Sequence, residues 1–332
     1  MTGIRFCGTG SYLPPQTVDN NEYAKIVDTS DEWIRPRTGI VTRHIADGET
    51  TWRMGARAAQ AAIDGAGIDP QEIDLLLVTT VTADFATPSM SCCIQQEIGA
   101  PNAMCIDINC ACAAFVYGVD MARRYLAAGG DVKTVLLVSA EMLSRLTNYE
   151  DRSTCVLFGD GAGACVIQAE EGGMYGSMIG ADGTGYGLMF CKNPPPASPW
   201  THTPPEPDEI YTRPELPGQM VMGGREIYKF ATKMMPQAIN TACERAGITS
   251  AELDWIVPHQ ANVRIVQTAM KNLGLPMEKA FMTIDHTGNT SSASAPIALD
   301  ELWKSGRLRR GDKVGIAGFG AGLTYGGAVF TW

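Results

Sequence analysis

Apolar and polar residues follow one another along the chain in blocks that predict helices followed by buried strands. Small and apolar side chains recur at helical spacing over residues 54–68, and a continuous apolar run follows at 75–80. Residues 232–248 repeat the helical pattern, and a second apolar run follows at 255–257. In both places the helical pattern closes on Ala-Gly-Ile, a helix-ending signal, and a short loop leads into the strand.

The two blocks lie at a constant distance from each other. Gly67 and Gly247 are 180 positions apart, and so are Asp74 and Asp254. An offset shared by helix, loop and strand indicates an internal duplication. Because strands alternate with helices, each half should form a largely parallel sheet covered by helices. The pattern therefore predicts an α/β fold with five layers, α/β/α/β/α, built from two duplicated halves.

The halves are joined by a segment of different composition. We place the N-terminal half at residues 1–172, a connecting segment at 173–222 and the C-terminal half at 223–332. The connecting segment carries a proline-rich loop at 191–217. Proline fixes φ and removes a backbone donor, so this loop should be irregular and semi-stiff. It is either a surface connector or the lid or wall of a pocket, and the pattern leaves both interpretations open.

Composition and charge narrow the functional classes. Apolar residues make up 45% of the chain and charged residues 19%, which is typical of a globular protein. No apolar stretch approaches the roughly 20 residues of a membrane span, and the N-terminus has no signal-peptide pattern, so we expect a cytoplasmic location. A net charge of −10 argues against a nucleic-acid partner. It leaves room for a local basic patch that receives an acidic partner.

The ten cysteines form no spaced disulfide framework and no Cys/His ligand set, so we expect reduced thiols and no metal site. Cys112 lies where the strand-like run 103–108 passes through small residues into a helical stretch. A helix N-terminus favours the thiolate, which is the nucleophilic form of cysteine. A buried core cysteine is the alternative interpretation, and it is the one we prefer for Cys110. At the 180-residue offset Cys112 corresponds to Ser292.

Three further features carry candidate chemistry. His259 follows a buried strand, at the edge where open α/β sheets place their sites. Asn289 stands in a Gly-Asn turn signal and could supply an amide donor. The glycine-rich loop at 318–322 follows a strand, and it could either cradle an anion or simply turn the chain. Each of these features is a weak signal when taken alone.

Taken together, these residues resemble a known family. Nearly the whole chain is similar to β-ketoacyl-acyl-carrier-protein synthase III, the initiating condensing enzyme of type II fatty-acid synthesis, in the thiolase superfamily. The motifs that carry the resemblance are TSDEWI at 29–34, RTG at 37–39, RH at 43–44, CA at 112–113, FGDGAG at 158–163, VPHQAN at 257–262, HTGNTS at 286–291 and GFGAG at 318–322.

The resemblance implies roles for the catalytic residues. Cys112 would take the acyl group from an acyl-CoA starter, and the backbone N–H groups of Cys112 and Ala321 would form the oxyanion hole. His259 and Asn289 would hold the malonyl thioester oxygen during decarboxylation, which stabilises the enolate. The carbanion would then attack the Cys112 thioester in a ping-pong reaction. The resemblance implies no cofactor, since acyl-CoA is a substrate.

The resemblance also implies binding surfaces and a homodimer. Residues assigned on this basis alone are Trp33, Arg37 and Arg152 for CoA, Lys229, Arg264 and Lys271 for the acidic carrier protein, and Thr87 and Phe319 for the acyl pocket. Thr87 departs from the family members restricted to acetyl starters, which carry a bulky phenylalanine at this position in the partner subunit's acyl pocket. The smaller side chain favours branched or longer acyl-CoA starters.

Rival functions differ in how well the sequence separates them. A related condensing enzyme of specialised metabolism would share every motif above, so that alternative stays open. A degradative thiolase would carry a second catalytic cysteine in its glycine-rich loop, and the loop at 318–322 has none. A non-catalytic scaffold would have no reason to keep the cysteine, the histidine and the asparagine together.

Overall fold

The computed structural model of the chain describes residues 2–195, 199–200, 202 and 208–332. Part of the proline-rich loop, at 196–198, 201 and 203–207, lies outside these described residues. The strands are β1 (Thr2–Tyr12), β2 (Thr17–Asp19), β3 (Thr42–His44), β4 (Leu75–Thr79), β5 (Met104–Ile108), β6 (Thr134–Met142), β7 (Asp160–Glu171), β8 (Tyr175–Ala181), β9 (Met189–Cys191), β10 (Met220–Met222), β11 (Trp255–Pro258), β12 (Lys313–Gly320) and β13 (Thr324–Thr331). The helices are α1 (Asn20–Tyr23), α2 (Asp31–Thr38), α3 (Thr51–Ala66), α4 (Met90–Ile98), α5 (Ala114–Ala127), α6 (Arg152–Cys155), α7 (Gly224–Ala246), α8 (Val263–Leu273), α9 (Ile284–Thr287) and α10 (Ser294–Lys304).

Two larger sheets form the frame of the molecule. The first has the strand order β1-β7-β6-β4-β5, and the second has the order β11-β12-β13-β8. Strands β6, β4 and β5 run parallel, as do β11 and β12, whereas β1, β7, β13 and β8 pair antiparallel to their neighbours. Both sheets are therefore mixed, with parallel strands on the side where the candidate site lies.

The helices form three layers around the two sheets. Helices α5 and α10 lie between the sheets, where Phe115 and Leu299 share one apolar cluster with Leu77 of β4 and Ile316 of β12. Helices α3 and α4 cover the outer face of the first sheet, and α7 and α8 cover the outer face of the second. Each fully buried side chain of this size contributes about 2 kcal/mol. The predicted five-layer α/β/α/β/α order is confirmed.

The duplication is visible in backbone detail. Gly67 and Gly247 both end their helices in the left-handed conformation, as the Ala-Gly-Ile signal predicts. The turn that follows carries a capping box in each half, at 69–72 and at 249–252. Ala111 and Ser291, also 180 positions apart, share a positive φ of 48° and 50°. The two halves therefore repeat the same local geometry up to the candidate site.

One boundary of the repeat differs from the simplest sequence division. Strand β8 lies inside the segment that we expected to connect the halves, at 173–222, and it pairs with β13 at the edge of the second sheet. Its packing repeats that of β1, because a Cβ on Gly176 would clash with the Ala242 carbonyl of α7, and one on Gly8 would clash with the Ala62 carbonyl of α3. We therefore propose that the C-terminal half begins with β8 and that the connector is shorter.

Two small features complete the fold. Strands β9 and β10 form an antiparallel pair on either side of the proline-rich loop, and β2 pairs with β3. Among the described residues, no helix is both long and apolar enough to cross a bilayer.

A charged contact ties α9 to α10 and gives the first testable prediction. The ring of His286 lies between two carboxylates, with Nδ1 2.9 Å from Asp285 and Nε2 3.0 Å from Glu301. Hydrogen bonds to Asp285 and Glu301 raise the pKa of His286 to about 10. Because the folded-state pKa is raised, the contact stabilises the fold fully below the ordinary histidine pKa of about 6.5 and is lost as pH rises through 10.

We expect His286→Asn to lower the free energy of unfolding at pH 6 and to have little effect near pH 10.5. The His286 side chain is 42% exposed, so solvent screening should hold the effect at pH 6 to about 1 kcal/mol or less. Urea unfolding of both proteins at several pH values would measure it. A wild-type advantage that stays constant across this range would contradict the assigned contact.

Candidate active site

Cys112 lies at a sharp elbow between β5 and α5. A short 3-10 turn spans Ala111–Ala113 and leads directly into the helix. The positive φ of Ala111, 48°, is unfavourable for a residue with a Cβ and makes the turn tight. Cys112 therefore stands at the N-terminus of a central helix, as predicted, and it is only 7% exposed.

Burial changes the expected state of the thiol. It raises the pKa of Cys112 to about 12, and the nearby Glu141 carboxylate acts in the same direction. The expectation that the helix N-terminus favours a resting thiolate is therefore wrong, because desolvation outweighs that effect at this site. The helix N-terminus can still stabilise negative charge as the thiol proton leaves.

The glycine-rich end of β12 packs directly against the elbow. A Cβ on Gly320 would lie 2.6 Å from the backbone N of Cys112, and one on Gly318 would lie 3.1 Å from its carbonyl O. Only glycine permits this approach at both positions. Ala321, the next residue, lines the same cavity as Cys112. The loop therefore approaches the nucleophile, which places both predicted oxyanion donors on one cavity wall.

His259 follows β11 and is held on several sides. Its backbone N–H donates to the Ala317 carbonyl at 2.7 Å, which continues the pairing of β11 with β12. The imidazole Nδ1 lies 2.8 Å from the Ser294 hydroxyl, and the ring of Phe319 packs edge-on at 5.2 Å. Burial lowers the pKa of His259 to about 3. The ring is therefore neutral near pH 7 and carries a single N–H proton.

Hydrogen bonds fix Asn289 and leave its side-chain Nδ2 available to a ligand. Its backbone N–H donates to Leu157 at 2.9 Å, and its carbonyl accepts from the Gly159 N–H at 3.0 Å. The side-chain Oδ1 accepts from the Ser291 N–H at 2.9 Å. Since the oxygen is engaged, the amide group can offer its Nδ2 donors to a ligand. This agrees with the donor role that the sequence resemblance implies.

A buried arginine supports the segment that holds Asn289. Arg43 is fully buried, its guanidinium donates to the Val156 carbonyl, and its Nη1 donates to Asn20 at 2.7 Å. The same guanidinium lies 4.4 Å from the centre of the Tyr23 ring. Burial lowers the pKa of Arg43 to about 10, so the group keeps its charge near pH 7. Residues 156–159 are thereby anchored by Arg43 as well as by their backbone bonds to Asn289.

Three polar residues at this site were not singled out from the sequence. Ser291 is buried beside the Cys112 thiol, whose pKa it lowers, and Ser294 contacts His259. Glu141 is fully buried and accepts from Ser292 Oγ at 2.7 Å and from Thr82 Oγ1 at 2.8 Å. The run Ser-Ser-Ala-Ser directly after Asn289 was a usable signal for the serines. Nothing local marked Glu141, which lies at the end of an apolar strand.

Two neighbouring cavities lie at this site. The first, called the Cys112 cavity, has a volume of about 630 Å³, within the range of ligand pockets. Its lining is mainly apolar near the thiol and includes Val81, Ala111, Cys112, Leu143, Leu146, Phe158, Met189, Phe190, Met220, Ser291 and Ala321. The second, called the Trp33 cavity, has a volume of about 400 Å³ and is lined by residues that include Trp33, Arg37, Asn262, Arg264, Ile265 and Asn289.

The cavities are neighbours. Leu157 and Asn289 line the Trp33 cavity, whereas Phe158 and Ser291 line the Cys112 cavity. An isolated bridge pairs Phe158 with Asn289. The two short segments that contain these residues therefore lie between the two cavities.

The predicted nucleotide-binding residues cluster around the Trp33 ring. The guanidinium carbons of Arg37 and Arg152 each lie 4.8 Å from the centre of the Trp33 ring. Arg152 also donates to the Asp28 carbonyl at 2.8 Å. The structure thus brings these three residues together, with the arginines stacked on the indole. A base sandwiched between Trp33 and Arg152 would require the Arg152 side chain to move.

Of the five remaining predicted residues, four are exposed and one, Phe319, is buried. Lys229, Arg264 and Lys271 are exposed on α7 and α8, and Arg264 also lines the Trp33 cavity. Thr87 is exposed on the loop between β4 and α4. Phe319 is buried and is absent from the described lining of the Cys112 cavity, because its ring packs against His259. We therefore propose that Phe319 supports the imidazole and does not form the acyl pocket.

Comparisons with known proteins agree with the site. The family models "3-Oxoacyl-[acyl-carrier-protein (ACP)] synthase III" and "3-Oxoacyl-[acyl-carrier-protein (ACP)] synthase III C terminal" match residues 106–183 and 243–332. The chain is 44% identical to "Beta-ketoacyl-[acyl-carrier-protein] synthase III" of Clostridium acetobutylicum, an alignment that covers 100% of this chain and 99% of the relative.

Two solved structures show the same fold over the full length. The 3-oxoacyl-[acyl-carrier-protein] synthase III of Aquifex aeolicus VF5 superposes with a TM-score of 0.90 at 38% identity, covering 100% of both chains. The priming beta-ketosynthase from the R1128 polyketide biosynthetic pathway superposes with a TM-score of 0.88, also at 38% identity, covering 99% of this chain and 96% of that one. The chain therefore belongs to the β-ketoacyl-acyl-carrier-protein synthase III family, as its motifs predicted, and it is a condensing acyltransferase with the thiolase-like fold.

Proposed function

We propose that this protein condenses an acyl-CoA starter with malonyl-acyl-carrier protein, giving 3-ketoacyl-acyl-carrier protein, CoA and CO2, and so initiates type II fatty-acid synthesis. The observation that carries the proposal is the placement of Cys112 at a helix N-terminus inside a cavity of about 630 Å³. His259 and Asn289 are each held in place by their own hydrogen bonds.

In the first half-reaction, the Cys112 sulfur attacks the thioester carbon of acyl-CoA. The C–S bond to CoA breaks, and the proton that leaves the Cys112 thiol is balanced by the proton that CoA thiolate takes up. Backbone N–H groups of Cys112 and Ala321 stabilise the oxyanion of the tetrahedral intermediate. The helix N-terminus contributes as charge develops on sulfur, because the resting thiol is neutral.

In the second half-reaction, malonyl-acyl-carrier protein loses CO2 and becomes an enolate. The developing charge on the thioester oxygen is stabilised by N–H donors of His259 and Asn289. The enolate carbon then attacks the acyl-Cys112 thioester and forms the new C–C bond. Cys112 leaves as a thiolate and takes up one proton from solvent. A neutral His259 and a fixed Asn289 amide suit this donor role.

The partners follow from the two cavities and from the surface charge. Trp33, Arg37 and Arg152 are proposed to hold the CoA nucleotide, since they combine an aromatic face with phosphate-binding guanidinium groups. Lys229, Arg264 and Lys271 are proposed to dock the carrier protein. They are exposed cations on a chain with a net charge of −10, and Arg264 also lines the Trp33 cavity, which suits an acidic partner.

A homodimer and a cytoplasmic location are part of the proposal. Strand β5 is the edge of the first sheet, and Met104 on that strand and Phe85 on the preceding loop are 45% and 49% exposed. An edge strand flanked by exposed apolar side chains suits pairing with a second copy, which would bring Thr87 to the partner's pocket. All ten cysteines are free thiols, as suits a reducing compartment.

The test is intact-protein mass spectrometry after incubation with acyl-CoA species from acetyl to octanoyl, with isobutyryl-CoA included. We expect one acyl adduct, on Cys112, and acylation by branched and longer starters within about tenfold of the best substrate, about 1.4 kcal/mol of discrimination. Thr87→Phe should shift the preference toward acetyl, and Thr87→Ser serves as its control. A strict acetyl preference in the wild type would contradict the role of Thr87, and the absence of any Cys112 adduct would contradict the proposed function.

A priming ketosynthase of polyketide synthesis is the second candidate, and the structural likeness to the R1128 enzyme at 38% identity supports it. The same chemistry would then act on a different carrier protein. Condensation rates with carrier proteins from the two pathways would separate the candidates.

A further inference from the structure

Ser294 occupies the first position of α10 and is almost completely buried beside His259. Its hydroxyl oxygen has three polar neighbours. They are Nδ1 of His259 at 2.8 Å, the backbone N of Gln260 at 3.2 Å and the backbone carbonyl of Ser291 at 2.9 Å. The chemistry of these neighbours limits how the single hydroxyl proton can be placed.

The Gln260 N–H can only donate, and the Ser291 carbonyl can only accept, whereas Nδ1 can do either. If the Ser294 hydroxyl donates to Ser291, then Nδ1 must carry the ring proton, and Nε2 has only a lone pair. If the hydroxyl donates to Nδ1, the ring proton is on Nε2. The orientation of one O–H bond is therefore coupled to the tautomer of His259.

The two tautomers differ in what they offer a substrate. Because burial keeps the imidazole neutral near pH 7, the ring has one proton and cannot donate from both nitrogens. Nδ1 faces Ser294, so the nitrogen on the other side of the ring, Nε2, is the one left for a ligand. A donor to the thioester oxygen of malonyl-acyl-carrier protein requires the proton on Nε2.

We propose that Ser294 is a positioning residue that sets the tautomer of His259, its hydroxyl donating to Nδ1 so that Nε2 carries the proton used in the condensation step. This inference rests on the proposed function, which makes His259 a hydrogen-bond donor to the substrate. Ser294 itself touches no substrate and acts through the ring.

The surroundings hold the Ser294 oxygen in place for this task. The Gln260 side chain is fixed at both ends, since its Nε2 donates to the Pro258 carbonyl at 2.9 Å and its Oε1 accepts from the Thr283 N–H at 3.1 Å. The Gln260 N–H that donates to Ser294 is therefore on a rigid segment. With one lone pair of the hydroxyl engaged in this way, its proton has two acceptors within reach, Nδ1 of His259 and the Ser291 carbonyl.

Removing the hydroxyl should favour the wrong tautomer. The Ser291 carbonyl lies close enough to the imidazole to raise its pKa, and it would remain as an acceptor beside the ring. An acceptor on that side favours a proton on Nδ1. In Ser294→Ala we expect Nε2 to lose its proton and carry only a lone pair, which would repel the thioester oxygen of the substrate.

The kinetic test separates the two half-reactions. Loss of one oxyanion donor costs about 100-fold, so Ser294→Ala should condense about 100-fold more slowly. The burst of CoA release on acylation of Cys112 should stay within about twofold of wild type, because His259 donates only in the second step. Ser294→Thr keeps a hydroxyl and should recover most of the rate. Ser305→Ala, at the end of the same helix, is the control, since its hydroxyl bonds to two nearby backbone groups, the Leu302 carbonyl and the Arg307 N–H, both away from His259.

The direct test is ¹⁵N NMR of the histidine rings near pH 7, with His259 assigned by difference from His259→Ala. In wild type we expect the proton on Nε2, and in Ser294→Ala we expect it on Nδ1. A wild-type His259 protonated on Nδ1 would overturn the inference. Equal loss of both half-reactions in Ser294→Ala would also overturn it, because that result describes a structural role.

The role of Ser294 and the proposed function can be refuted separately. If His259→Ala cannot condense while Ser294→Ala condenses at the wild-type rate, the role of Ser294 is refuted and the proposed function stands. If His259→Ala itself condenses normally, the proposed function is refuted at the decarboxylation site, whatever Ser294 does.

Discussion

Cys112→Ser should abolish acyl transfer from acyl-CoA, lowering its rate by at least about 1,000-fold, because the substitution removes the thiol that we propose forms the covalent intermediate. Intact mass spectrometry should show no adduct after incubation with any acyl-CoA that labels the wild type. Cys110→Ser is the matched control, since Cys110 lines the same cavity with a thiol whose pKa is also raised by burial. That variant should keep the adduct.

The raised pKa of Cys112 adds a pH signature to this result. With a thiol pKa of about 12, the thiolate fraction increases about tenfold with each pH unit across the accessible range. Alkylation of Cys112 by iodoacetamide should therefore accelerate continuously from pH 6 to pH 9. A plateau below pH 8 would show that the thiol is already ionised in the resting enzyme. An adduct that persists in Cys112→Ser would place the nucleophile elsewhere.

His259→Ala and Asn289→Ala should produce the opposite defect, in which the acyl-enzyme forms but does not condense. Each substitution removes a hydrogen-bond donor from the developing enolate and should lower the condensation rate by about 100-fold to 1,000-fold. The acyl group should accumulate on Cys112 and be visible by mass, because neither side chain takes part in the first half-reaction. Rapid-quench measurement of CoA release and of 3-ketoacyl product would record both steps in one experiment.

Asn272→Ala is the control for this pair, since Asn272 is an exposed residue of α8 whose side chain donates to the Thr232 carbonyl. It should condense at the wild-type rate. If His259→Ala or Asn289→Ala formed product normally, the residue concerned would have no role in decarboxylation. If either variant failed to acylate at all, its assignment to the second half-reaction alone would be wrong.

Much of the fold could be predicted because the same sequence pattern occurs in both halves of the chain. The helix-ending Gly67 and Gly247 and the apolar runs behind them are local signals, and their constant spacing converts two weak patterns into one strong one. Cys112 and Asn289 could be found in the same way, since both stand in short stretches that must turn sharply. The sequence pattern did not predict β8, because this seven-residue edge strand has no strong periodicity of its own.

The rest of the site depends on contacts between residues that are far apart in the chain. The pKa of Cys112 follows from how completely both halves bury it, which no local pattern reports. Glu141 meets Ser292 across 151 positions, and Arg43 meets Val156 across 113. Phe319 was assigned by resemblance to the acyl pocket, but its ring direction depends on the exact path of β12 next to His259. These are properties of the assembled layers.

The pairing of Ser292 with Glu141 makes the two halves of the molecule differ at equivalent positions. At the 180-residue offset, Ser292 stands where Cys112 stands in the other half, and Glu141 stands where Ala321 stands. A hydroxyl and a carboxylate joined at 2.7 Å therefore fill the second elbow, which has the same positive φ as the first. Because Glu141 belongs to the N-terminal half and Ser292 to the C-terminal half, this bond ties the two halves together at the position where the first elbow carries its candidate nucleophile.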